Sequence, residues 1–313
     1  MRPSSSPVPF LAHPDKVRLN GKPTSEMTSR LPVIRFSNQL RKLVQQWRRR
    51  GHKVALVPTM GGLHDGHLAL VRLAKQHASR VVVSVFVNPA QFAPHEDYES
   101  YPRNEERDWH KLLTVQADAM YAPDVHEIYP PDFATRVDVA GVSQTLEGLS
   151  RPHFFSGVAT VVAKLFMQCL PDVAVFGEKD YQQLLVIKQL VSDLNFPITI
   201  VPAPVIREAD GLAMSSRNVY LDAGERATAP QLHAVLSDMA HDLAAGRVVE
   251  DTVRQGWVRL ENSGFRIDYL EVRDAATLLP TGAAVESPAR LLAAVHLGRV
   301  RLIDNMAILP AAA

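Results

Sequence analysis

The 313-residue chain has a single cysteine, Cys169. An internal disulfide is therefore excluded, which suits a reducing compartment and sets the expectation of a cytoplasmic protein. Cys169 lies in an apolar run, residues 161–170, where it reads as a small core residue; burial raises a thiol's pKa and disfavours a nucleophilic role. Long apolar runs are also missing. None approaches the ~20 residues of a bilayer span, so no membrane partner is expected. A surplus of one charge is absent: 34 Lys and Arg stand against 33 Asp and Glu, a formal net charge of +1. No global basic field points to nucleic acid, although a local phosphate site needs only a few donors. Internal repeats are lacking, and no apolar signal core follows Arg2. Residues 1–30, rich in Pro, Ser, Lys and Arg, read as a mobile tail, with a transit peptide as the alternative; removal of residues 1–28 is expected to leave activity intact.

What is present is the make-up of a globular protein, 46% apolar and 21% charged, long enough for one large domain or two ordinary ones. Short β-branched runs at residues 53–57, 80–87, 117–121, 173–176 and 198–201 alternate with helical patterns near 36–50, 66–78, 104–115, 157–169 and 180–193. Continuous apolar strands alternating with helices predict an α/β fold, a Rossmann-like doubly wound parallel sheet over residues 31–205 with ligands at the strand C-termini. Residues 206–313 read as a smaller α+β domain. It has long helical stretches at 223–245 and 251–262, and strands at 265–272, 290–295 and 299–303. The Pro- and Gly-containing segment 280–288 joins the first of these strands to the second.

Three segments carry chemistry. The strand at 53–57 runs into Pro58-Thr59-Met60-Gly61-Gly62-Leu63-His64-Asp65-Gly66-His67 and then a helix. A strand, Gly-rich turn and helix start aims backbone N–H groups and the positive helix end at an anion. His64 and His67 are three apart and share a face if both enter the first turn, where they can donate to phosphate oxygens. The segment lacks the Lys-Ser/Thr ending of a P-loop, the order of a dinucleotide fingerprint and the spacing of a zinc peptidase. Next, the strand at 173–176 ends in Gly177-Glu178-Lys179-Asp180-Tyr181-Gln182-Gln183. Lys179 can serve as a point charge for phosphate, Asp180 as a ribose acceptor or helix cap, and Gln183 as a donor and acceptor for a small polar substrate. Finally, Ser215-Ser216-Arg217-Asn218 follows Ile206 and the proposed domain border. It offers two hydroxyls and a guanidinium for phosphate, or a plain hinge loop with an N-cap serine. Together these read as one side of a cradle for a triphosphate.

These segments, with Phe86-Val87-Asn88-Pro89, Gln91-Phe92, Arg290-Leu291-Leu292 and Arg301-Leu302-Ile303-Asp304-Asn305, closely resemble the pantothenate synthetase (pantoate–β-alanine ligase) family. The resemblance spans residues 31–308, and the order and spacing of its motifs are highly specific. It implies a fold of the nucleotidyltransferase superfamily and a cytoplasmic homodimer. The implied reaction converts ATP, pantoate and β-alanine to pantothenate, AMP and pyrophosphate, with Mg2+, through an enzyme-bound pantoyl-adenylate. It implies that His64, His67 and Lys179 act on the phosphates as catalytic groups. ATP would be bound by Met60, His64, His67, Gly177, Lys179, Asp180, Ile206, Ser215, Ser216 and Arg217. Pantoate would be bound by Met60, Gln91 and Gln183, and β-alanine by Asn88 and Gln91. Metal ligands are left unassigned.

One stretch departs from the pattern. Where the family has Arg-Pro-Gly-His-Phe, this chain has Arg151-Pro152-His153-Phe154-Phe155, so the family histidine's role does not carry over. Glu96, Asp97 and Glu99 fall where a flexible lid would lie. Two other readings stay open on the residues alone: a nucleotidyltransferase that stops at the adenylylated product, and a nucleotide-sensing or nucleic-acid-binding module. The complete set of two histidines, Lys179 and Ser-Ser-Arg argues against a decayed site.

Overall fold

The computed structural model describes residues 31–94 and 96–310; the expected tail at 1–30 lies outside the described residues. Val-rich runs become the centre of a six-stranded parallel sheet. Its strands are β1 (Val33–Ile34), β2 (Val54–Thr59), β3 (Arg80–Val85), β4 (Ala119–Tyr121), β5 (Val173–Gly177) and β6 (Thr199–Ala203). Their order across the sheet is β1-β4-β3-β2-β5-β6. The central strands are covered on both sides, as their unbroken apolar sequences require. Val54 and Leu56 pack into one core with Leu40, Val44 and Leu184. Ala55 and Val57 alternate to the opposite core with Leu68, Val71 and Leu112.

The helices that cover the sheet are α1 (Ser37–Arg49), α2 (Asp65–His77) and α3 (Glu105–Thr114), the short α4 (Val125–Ile128) and α5 (Glu147–Ser150), then α6 (Phe154–Cys169) and α7 (Tyr181–Asp193). In α6, 13 of 16 residues are buried, so this helix is apolar almost all round and runs through the core. Cys169 sits at its end, 1% exposed, its thiol pushed up to about 12 by burial. β1 was not anticipated. It is two residues long and becomes a strand only by pairing with β4.

Beyond β6 come α8 (Ala223–Thr228), α9 (Gln231–Ala244), α10 (Val249–Asn262) and the strands β7 (Arg266–Asp274), β8 (Ala289–Leu297) and β9 (Val300–Ile308). These strands form an antiparallel sheet in the order β7-β8-β9, packed on α9 and α10 around Leu236, Leu243, Leu260 and Leu291. The single helix expected over 223–245 is corrected to two. Pro230 has no N–H to continue the ladder, and its φ of −61° starts α9 afresh.

Candidate active site

The sheet order places the chemistry. From β2 the chain moves outward to β3 and β4, then returns to β5 on the other side of β2. β2 and β5 pair directly, Ala55 with Val173 and Leu56 with Ala174. The two segments leaving their C-terminal ends, 60–67 and 177–183, are thus neighbours at the topological switch point, where open α/β sheets bind ligands. All thirteen residues named from the sequence line one cavity there, of about 970 Å³.

Gly61 and Gly62 turn with φ of +86° and +61°, which side chains resist. Their expected role needs a correction. The Gly62 N–H donates to Asp108 Oδ2 at 2.9 Å and the Leu63 N–H to Asp108 Oδ1 at 2.8 Å. These two amides therefore hold a protein carboxylate, not a substrate anion. Asp108 is 2% exposed, and burial lifts its pKa although both amides oppose the rise. Lys111, also on α3, donates to the Leu63 carbonyl.

His64 precedes the first turn of α2 and His67 lies within it; their ring centroids are 4.1 Å apart. Gly66 makes this possible, since a Cβ there would stand 2.8 Å from the His64 ring. The His64 backbone N–H donates to His67 Nδ1 at 3.3 Å. His67 must then carry its ring proton on Nε2. Burial, reinforced by Lys179 and Lys111, lowers His64 to about 4. Burial, His64 and the same lysines hold His67 well below its ordinary value. Both imidazoles are neutral donors at pH 7.

On the neighbouring exit from β5, Lys179 Nζ lies 3.6 Å from Asp180 Oδ1. Asp180 precedes α7, but its side chain does not cap that helix. Asn305 of β9 donates to the carbonyls of Glu178 and Lys179, both at 2.9 Å, and fixes this turn from the three-stranded sheet. A hairpin closed by Met214 N–H to the Ile206 carbonyl at 3.0 Å delivers Ser215–Arg217 to the same space. Ser215 Oγ accepts from the Arg217 N–H at 3.3 Å, and Ser216 Oγ pairs with Tyr101 Oη at 2.9 Å. Arg217 makes a two-bond pair with Asp97, both contacts 2.8 Å. Burial disfavours the Asp97 charge, but Arg217 overcomes it and holds the carboxyl below its usual range.

Gln91 Nε2 lies 2.9 Å from Met60 Sδ. Asn88, 1% exposed, donates to Gln91 Oε1 and the Gly157 carbonyl, both at 3.1 Å. Asn88 Oδ1 accepts from Tyr129 Oη at 2.8 Å and the Ala90 N–H at 3.3 Å. Both donors and both acceptor positions of Asn88 are thereby used. Gln183 faces the cavity half-buried.

Sequence reasoning missed how the charged groups around this frame pair. Glu96 pairs with Arg151, Arg151 with Glu147, Glu147 with Arg301, and Arg301 with Asp268. Only Glu147 and Arg151, four residues apart, form a local pair; the other three join residues that no local pattern connects. The departing stretch is accommodated simply. His153 has φ of −92°, so no glycine is needed, and Arg151 Cζ lies 4.0 Å over the Phe154 ring.

Among the described residues no group of three or more His, Cys, Asp or Glu could hold a metal ion by itself. Magnesium binds largely through water and substrate phosphates, with one or two carboxylates at most. The cavity therefore fits a magnesium that arrives with a nucleotide, but not a protein-caged one.

Comparison with known proteins agrees with this geometry. The family model for pantoate-beta-alanine ligase matches residues 32–307. The chain is 52% identical over 285 residues to a pantothenate synthetase of Caulobacter vibrioides, covering 90% of this chain and all of the relative. A pantothenate synthetase structure from Thermus thermophilus superposes with a TM-score of 0.85 at 45% identity, covering 90% of this chain and 100% of that one. A Francisella tularensis pantoate-beta-alanine ligase, solved with beta-gamma ATP and beta-alanine, gives 0.75 at 31% identity, covering 88% of this chain and 97% of that one. The chain belongs to the pantoate–β-alanine ligase family.

Proposed function

We propose that the protein condenses pantoate with β-alanine, using ATP and releasing pantothenate, AMP and pyrophosphate by way of an enzyme-bound pantoyl-adenylate. The observation that carries the reading is one cavity lined by two neutral imidazoles, a lysine, a Ser-Ser-Arg loop and the Met60–Gln91 pair. A pantoate carboxylate oxygen attacks the α-phosphorus and pyrophosphate departs. The β-alanine amine then attacks the acyl carbon, AMP leaves, and the amine gives up a proton. No enzyme nucleophile is needed.

Charge accumulates on the phosphates in the first step. His64, through an N–H of its neutral ring, and His67, through Nε2–H, donate to that charge, and Lys179 and the Ser215–Arg217 loop offset it. Gly177, Asp180 and Ile206 hold the adenosine. Met60, Gln91 and Gln183 hold pantoate, and Gln91 also meets β-alanine. Asn88, with its hydrogen-bonding capacity already filled, serves that step by fixing the Gln91 amide. Magnesium, when bound to the triphosphate, neutralises phosphate charge. The reading carries with it a division near residue 205 into a nucleotide- and pantoate-binding part and a smaller covering part. It also carries a cytoplasmic homodimer, which light scattering would test.

Labelled pyrophosphate should exchange into ATP with pantoate present and β-alanine absent, and AMP should appear only when β-alanine is added. His64→Ala and Lys179→Ala should each slow the exchange by about 10²-fold or more, the scale for one preorganised donor. Exchange that ignores pantoate, or wild-type rates in both variants, refutes the assignment.

A further inference from the structure

We infer that Asp108 and Lys111 of α3 are positioning residues for the paired imidazoles, gripping the backbone that enters His64 and through it setting His67. The inference rests on the reading of the two histidines as phosphate donors.

The grip has three points, all on the two residues before His64. Asp108 takes the Gly62 and Leu63 N–H groups, one on each carboxylate oxygen, and Lys111 takes the Leu63 carbonyl. Successive N–H groups turned inward by a positive-φ pair form a concavity that attracts anions. Left open beside a triphosphate site, it would compete for the substrate. Asp108 supplies a resident anion instead. Gly61 admits it closely, since a Cβ there would stand 3.1 Å from Asp108 Oδ2. The brace is itself anchored: Asn104 caps α3 through the Arg107 N–H at 2.9 Å, and Leu112 is fully buried.

The consequence passes along the chain. The Leu63 peptide fixes the start of His64, whose N–H is donated to His67 Nδ1. That bond sets which nitrogen of His67 bears the proton available to a phosphate. Neither Asp108 nor Lys111 lines the cavity, so both act through the histidines.

The test uses the full-length enzyme and reads pantoate-dependent pyrophosphate exchange, the KM for β-alanine in the complete reaction, and Tm. Asp108→Asn places an NH2 against one of the two backbone donors. It should lower the exchange kcat by about 10- to 100-fold, the scale of a small misplacement of catalytic groups, with the β-alanine KM nearly unchanged. Asp118→Asn is the control. Asp118 also accepts a backbone N–H, from Val81 at 2.9 Å, and pairs with Arg80, but it lies outside the cavity. It should lower Tm and leave the exchange rate near wild type. Lys111→Met should slow exchange and Lys111→Arg, which keeps a donor, should recover most of it; this pair carries the test if Asp108→Asn fails to fold. Exchange in Asp108→Asn that matches the Asp118→Asn control, or no recovery in Lys111→Arg, overturns the inference. His64→Ala is assayed alongside. If it keeps full exchange, the reading of the histidines falls; if it is inactive while Asp108→Asn is normal, only the brace falls.

Discussion

His64 shows most directly how a residue's setting alters its chemistry. Its ring packs against that of His67, with the centroids 4.1 Å apart. Burial also keeps the ring uncharged down to about pH 4. In the unfolded chain the same ring takes a proton near pH 6.5. Between these values the unfolded state binds the extra proton, so stability rises with pH across the window and is lost as pH falls from about 6.5 toward 4. His64→Gln removes that titration. Its Tm should therefore fall less steeply than the wild-type Tm between pH 6.5 and 4, and parallel curves would contradict the neutral-buried assignment. The histidine pair was legible in the sequence because its geometry is local, one strand exit and one helical turn. Asp108 was not legible, because it meets its partners across 45 and 46 residues.

Among the elements, α6 decides how the substrate end of the cavity is built. A Cβ on Gly157 would lie 2.2 Å from the Ala90 carbonyl oxygen. The helix can approach the 3-10 turn Pro89–Gln91 only because that position has no side chain. The approach also lets the Gly157 carbonyl accept from Asn88, which in turn orients Gln91. Gly157→Ala should cost about 1–3 kcal/mol as an overpacked contact and raise the KM for pantoate more than that for ATP. Urea unfolding and initial rates would check both parts, and an unchanged pantoate KM would count against the proposed role of Gln91. The sequence reading found α6 by its apolar pattern, but placed its start at the glycine; the structure starts it at Phe154. The break before α9 was readable at Pro230 and was overridden by the apolar periodicity on either side.

Over the whole molecule, a line of alternating charges ties the loops above the six-stranded sheet to the three-stranded sheet. Glu147, 9% exposed in its side chain, pairs with Arg151 at 3.1 Å and with Arg301 of β9 at 2.8 Å. Removing one member of a buried pair leaves the other charges uncompensated. Glu147→Ala should therefore cost about 3 kcal/mol, measurable by urea unfolding; a change under about 0.5 kcal/mol would assign these pairs the small worth of surface ion pairs. By itself the sequence determined the class of fold, the strand-to-helix turns that carry His64, His67 and Lys179, and the family, because apolar period and motif spacing are properties of short segments. The tertiary structure decided which anion each donor already holds. Asp108 fills the Gly62–Leu63 amides, Asp97 holds Arg217 from 120 residues away, and Asn88 is saturated by the 3-10 turn, Tyr129 and the Gly157 carbonyl of α6. Such pairings depend on strand order and on helix docking onto the sheet, and neither is written in any local stretch of the chain.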